Sequence, residues 1–138
     1  DMNPDNVILM SSESSELAGM IDFGDMVEAP LINDIAVAAS YQTVAMNDIY
    51  KGTVSLLSGY NRVCPLNTEE LDLLPALIMN RIVMSVIICE WRAIDHPENQ
   101  EYILGGITKT WKTLETLIEE DLEGIATQLK NSLTPVIE

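Results

Sequence analysis

The first 25 residues hold two carboxylates and an amide whose types and spacing suit one kind of chemistry. Asp1 and Asn6 stand five positions apart in Asp1-Met2-Asn3-Pro4-Asp5-Asn6, and Asp22 follows in Gly19-Met20-Ile21-Asp22-Phe23-Gly24-Asp25. Moving a phosphoryl group from a nucleotide to a hydroxyl needs a carboxylate to take the hydroxyl proton. It also needs hard oxygen ligands that hold magnesium against the phosphates. Asp1, Asn6 and Asp22 can supply all three.

Such side chains act together only if the backbone gathers them. Val7 to Met10 is a short apolar run suited to a strand, Ser11 to Glu16 is a serine-rich polar turn, and Gly19 to Phe23 reads as a second short strand. The hairpin they predict would set Asn6 at the start of one strand and Asp22 near the end of its antiparallel partner. The two side chains could then converge on one cation. Asp1, on the loop before the hairpin, would face the acceptor.

These residues resemble the aminoglycoside phosphotransferase and choline kinase family, of protein-kinase-like fold. Its loop of the form H-x-D-x-x-x-x-N is followed by an I-D-F-type metal segment. Asp1 and Asn6 match the D and N of the loop, and Asp22 matches the aspartate of the metal segment. The resemblance implies that Asp1 is the catalytic base, that Asn6 and Asp22 bind Mg2+, and that ATP is the phosphoryl donor. It assigns Asp25 no role.

The pattern continues through Ala29-Pro30-Leu31-Ile32-Asn33-Asp34-Ile35-Ala36, Gly59-Tyr60 before Pro65-Leu66, and Trp91-Arg92 before His96-Pro97-Glu98-Asn99. It looks most like the branch of hydroxylysine kinases and of kinase-like domains fused to class III aminotransferases, to about residue 120. The implied acceptor is a small hydroxylated amine or amino acid, and the implied compartment is the cytoplasm. The glycine-rich strand pair and strand lysine that a kinase of this fold places over the nucleotide do not occur here. The sequence therefore reads as a C-terminal-lobe fragment, inactive by itself for want of an N-terminal lobe.

Length and composition suit one domain over residues 1–138, with 1–25 as catalytic loop and metal-binding hairpin and 33–133 as helical subdomain. Apolar residues make up 47% of the chain but aromatics only 5%, so aliphatic side chains and seven methionines must fill the core. That favours helix-on-helix packing. A formal charge of −15 argues against nucleic-acid binding, which needs clustered lysine and arginine, and fits a cationic acceptor better. Cys64 and Cys89 form no metal-binding spacing and read as reduced core thiols.

The fold expected is mainly α (α+β): a small N-terminal β-hairpin followed by a helical bundle, as in the C-terminal lobe of a protein-kinase-like phosphotransferase. Asn33 is expected to cap a helix reaching about Ala45, with Asp34 favourable in its first turn. Asn47 is expected to cap a second helix that stops near Gly59. Asn67 and Glu70 have capping-box spacing ahead of a long apolar segment that Pro75 would kink or restart. From Ala76 to Trp91 that segment is apolar nearly all round, which predicts a buried central helix rather than a membrane span. Arg81 within it needs a carboxylate partner, and Asp34 is the candidate.

Glu90, Trp91 and Asp95 near the end of this helix are candidate substrate-binding residues, forming a wall for the acceptor's cationic group. His96, the single histidine, turns the chain with Pro97. Thr108 is expected to cap a final helical region that runs on to Leu133, with Glu119, Glu120, Asp121 and Glu123 as a solvated outer face. The competing reading is a non-catalytic helical module for interaction or homo-oligomerisation.

Overall fold

The chain opens with a single 3-10 turn at Pro4–Asn6 that leads straight into a strand. Asn3 makes the turn, its side-chain oxygen accepting from the Asp5 amide at 3.1 Å, while Pro4 fixes the first backbone angle. The computed structural model describes residues 2–24 and 26–133.

Strand β1 (Val7–Leu9) pairs antiparallel with β2 (Leu17–Met20), Val7 opposite Met20 and Ile8 opposite Gly19, with an irregularity between Ile8 and Leu9. The second strand lies earlier than the expected Gly19–Phe23. It stops at Met20 because Asp22 takes a left-handed backbone angle (φ 62°), which no strand ladder accommodates and which aspartate tolerates better than most residues.

Six helices follow among the described residues, and the fold is mainly α with an N-terminal hairpin. Helix α1 (Ile32–Met46) begins ahead of the expected cap. Leu31 holds the cap position, and Asn33 lies inside the first turn, its amide bonded to the Pro30 carbonyl at 3.0 Å. Asn47 does not start the next helix. It ends α1 in the left-handed conformation (φ 55°), which asparagine tolerates, and Asp48 caps α2 (Ile49–Asn61) instead. The Asp48 carboxylate accepts from the Lys51 amide at 2.8 Å, and that bond leads in holding its pKa below the ordinary carboxylate range.

Gly59 does not stop α2, which continues to Asn61. Gly52 is the glycine with a structural task. A Cβ there would fall 2.5 Å from the backbone nitrogen of Thr43, so its missing side chain lets α2 approach α1 closely. Gly52→Ala is expected to destabilise the fold by about 1–3 kcal/mol through overpacking, although alanine is the better helix former. Urea unfolding would read this as a lowered midpoint, and an unchanged or raised midpoint would refute the close approach.

Helix α3 (Thr68–Asp95) carries the expected capping box. Asn67 accepts from the Glu70 amide at 2.9 Å, and Glu70 accepts from the Asn67 amide at 2.8 Å. Pro75 is buried within it and does not end it. Leu71, Leu74, Ile78, Ile82, Val86 and Ala93 form its inner face, against α1, α5 and α6.

The expectation of burial all round fails on the opposite side, where Leu73, Met84, Ile87, Trp91 and Ile94 are exposed. Among the described residues, too few neighbouring elements surround α3 to cover a cylinder on every side. Helix α3 is also long and apolar enough, by length and composition, to cross a membrane, a test that core helices of other proteins pass as well.

After α3, which ends at His96 as expected, come α4 (Gln100–Leu104), α5 (Ile107–Leu117) and α6 (Leu122–Leu133). Thr108 is not a cap. Gly106 holds that position, and the expected single region divides at residues 118–121. The break has a cause in Asp121, whose side chain accepts from the Gly124 amide at 3.0 Å and so starts α6. One core joins these pieces through Ile35 and Ala39, Ile49 and Leu57, Leu74 and Ile78, Leu117 and Leu129.

Candidate active site

The hairpin decides where two of the three candidate residues sit. The Ile21 amide donates to the Asn6 carbonyl at 3.0 Å, extending the pairing one step beyond β1 and β2. Asn6 therefore lies across from Ile21, with Asp22 next along the chain. The left-handed angle at Asp22 turns the backbone out of the sheet there, and the side chain lines a cavity of about 450 Å³ with Phe23, Asp34, Ile35 and Tyr60. Asp1 lies outside the described residues.

Asp34 links this cavity to a second, of about 410 Å³, that it lines with Asn33, Leu31 and Arg81. Met2 borders both. In the sequence, a first-turn acid that favours the helix dipole and an acid that steadies the preceding loop look the same at Asp34. Only the packing of α1 beneath the hairpin shows that it shares a cavity with Asp22. Tyr60 donates to the Leu31 carbonyl at 3.3 Å. Burial first, then the Cys64 thiol and the Asp34 carboxylate, push its hydroxyl above the usual phenol range.

Two carboxylates in one cavity are oxygen donors of the kind a hard cation takes. Among the described residues no group of three or more His, Cys, Asp or Glu side chains could hold a metal. Magnesium takes one or two protein carboxylates and completes its shell with water and substrate phosphates. Asp22 and Asp34 are the carboxylates that line this cavity, and Asn6 lies across the backbone pairing from Ile21.

Arg81 was expected to pair with Asp34. The two line one cavity, but the bond described for Arg81 runs to the Tyr41 hydroxyl at 3.3 Å, with the guanidinium 6.0 Å from the Tyr41 ring centre. Tyr41 sits lower on α1, on the side that meets α3.

The three residues proposed for a cation-binding wall lie on the last turns of α3 and face different neighbours. Glu90 accepts from the Trp111 indole at 3.0 Å, across to α5. Trp91 is 62% exposed. Asp95 lies 3.6 Å from His96 Nε2, at a surface where Glu98 approaches the other ring nitrogen at 3.5 Å. Cys64 and Cys89 are both free and half-buried.

A two-stranded hairpin precedes the helices, and sequence comparison bears out the resemblance to small-molecule kinases. The chain is 28% identical over 132 residues to hydroxylysine kinase of Xenopus laevis, covering 91% of this chain and 35% of that protein. It is 26% identical over 125 residues to hydroxylysine kinase of Bos taurus, covering 86% and 33%. A homoserine kinase of Paramagnetospirillum magneticum is 33% identical over 82 residues, 56% of this chain and 25% of that protein. The chain thus spans about a third of the length of the hydroxylysine kinases it matches. No family model matches, and no solved structure does. The likeness to hydroxylysine kinases runs over about nine-tenths of this chain.

Proposed function

We propose that this chain forms the catalytic-loop and metal-binding lobe of a small-molecule kinase. The reaction is transfer of the ATP γ-phosphoryl group to a hydroxyl of a small amine or amino acid. Asp1 takes the hydroxyl proton, and Asn6 and Asp22 hold Mg2+. When bound, the ion neutralises charge on the phosphates, which this acidic chain could not do with seven basic residues against 22 acidic ones. One observation carries the reading: backbone pairing sets Asn6 beside the Ile21-Asp22 segment, in a chain that aligns with hydroxylysine kinases over most of its length.

Hydroxylysine and homoserine, named for the relatives, are the acceptors to try first. Glu90, Trp91 and Asp95 remain candidates for the acceptor's cationic end, and the cytoplasm is the compartment the resemblance favours. The nucleotide lobe comes from elsewhere in a longer parent, so the 138-residue chain alone has negligible activity. Incubating the parent with ATP, Mg2+ and each acceptor, and weighing the products by mass spectrometry, tests this. Absence of transfer to any hydroxyl acceptor would overturn the reading, and robust turnover by the 138-residue chain would overturn the need for a second lobe.

The apolar outer face of α3, with Ile87 and Ile94 more than half exposed, favours the second reading, a docking or self-association module. Transfer activity in the parent separates the two.

A further inference from the structure

A third cavity, of about 400 Å³, opens on a flank of α3, between α1, α3, α4 and α5. Its size suits a small molecule. Its polar lining is Asn3, Tyr41, Arg81, Ser85, Arg92 and Thr110. The chain has three arginines in all, and two of them border this one space. Arg81, Ser85 and Arg92 fall four and seven positions apart, which places them along one side of the helix. Asn3 brings the loop between Asp1 and Asn6 to the same cavity.

Arg92 is the cation of this cavity on which the case for an anion stands. Arg92 is exposed, and among the described residues its guanidinium meets no carboxylate, although acids outnumber bases 22 to seven. The Ser85 hydroxyl already donates to the Arg81 carbonyl at 2.9 Å, leaving its lone pairs rather than its proton toward the space. The arginine fork therefore supplies the donors, and its geometry matches a carboxylate with two parallel bonds.

We infer that this cavity receives the carboxylate of the acceptor, with Arg92 as its counter-charge and the acceptor's hydroxyl directed toward the loop that carries Asn3. The inference rests on the kinase reading and narrows it: the acceptor is a hydroxy amino acid, not a hydroxy amine lacking the carboxylate. Arg81 and Arg92 lie about 16 Å apart along the helix axis, at the two ends of the α3 lining of this cavity. Arg92 is a specificity-determining residue, placed to choose between acceptors rather than to move the phosphoryl group.

The test compares hydroxylysine with its decarboxylated hydroxy diamine in the full-length parent, for the native protein and for Arg92→Gln, Arg92→Lys and, as a surface control, Arg62→Gln. Arg92→Gln is expected to raise KM for hydroxylysine at least tenfold while leaving KM for ATP and for the diamine within twofold. Arg92→Lys restores part of the loss, and Arg62→Gln changes nothing. A rise in KM for ATP instead would assign the cavity to nucleotide phosphate and overturn the inference, as would equal use of both acceptors by the native protein. If no transfer occurs to either acceptor, the kinase reading has failed. Calorimetric titration with hydroxylysine then decides the cavity by itself. Binding lost in Arg92→Gln and kept in Arg62→Gln supports it, and no binding, or binding indifferent to Arg92, refutes it.

Discussion

Asp1→Ala in the full-length parent is expected to lower kcat by about 10²–10⁴-fold, the range a positioned general base contributes. The expected loss falls on kcat and kcat/KM together, because a base acts on the proton only as the new bond forms. KM for ATP stays close to its native value. Asp22→Ala gives a contrasting signature under the same proposal. A lost magnesium ligand raises the Mg2+ concentration needed for half-maximal rate, and excess Mg2+ recovers part of the activity. Excess metal has no such effect on Asp1→Ala. Steady-state kinetics across a magnesium titration separates the two, with the melting temperature of each variant as a control for folding. Native turnover in Asp1→Ala would remove the base assignment, and an unchanged Mg2+ requirement in Asp22→Ala would remove the ligand assignment.

Ile78→Ala is expected to cost about 2–5 kcal/mol of stability, the cost of emptying a closed aliphatic site that cannot fully collapse. Ile78 is 0% exposed on the inner face of α3 and belongs to the cluster that also takes in α1, α2, α5 and α6. Against a total stability of about 5–15 kcal/mol for an ordinary domain, the loss could leave the chain partly unfolded at 37 °C. Ile87, nine residues on, is 56% exposed on the opposite face, and Ile87→Ala is expected to change stability by less than about 0.5 kcal/mol. Urea denaturation of both variants measures the asymmetry of the helix directly. Equal costs would mean that the outer face of α3 is covered in solution, and would support the self-association reading.

Local rules held where a signal depended on nearest neighbours alone. The Asn67 and Glu70 spacing specified a capping box, and that box formed because both partners lie within one turn of the same chain. The serine-rich stretch specified a turn and hence a hairpin. The same rules misplaced boundaries where two acceptable residues competed. Asn47 and Asp48 can each cap a helix, and the tight turn between α1 and α2 used one to end the first helix and the other to start the second. Asp121 read as part of a solvated acid run, because a capping aspartate and a surface aspartate look alike until the backbone breaks beside it.

The candidate site divides in the same way. The residue types and their D-x-x-x-x-N and I-D-F order are properties of the sequence, because the chemistry of phosphoryl transfer selects carboxylates and amides whatever holds them. A mainly helical fold behind a hairpin was equally legible, from helical spacing of aliphatic residues and an aromatic content of only 5%. Only the tertiary structure decided that Asp22 leaves the sheet in a left-handed turn and shares a cavity with Asp34, that Arg81 bonds Tyr41, and that α3 is buried on one side only. Each depends on which helices lie alongside, and a pattern that repeats every three or four residues specifies that a helix has an apolar face without specifying what meets it.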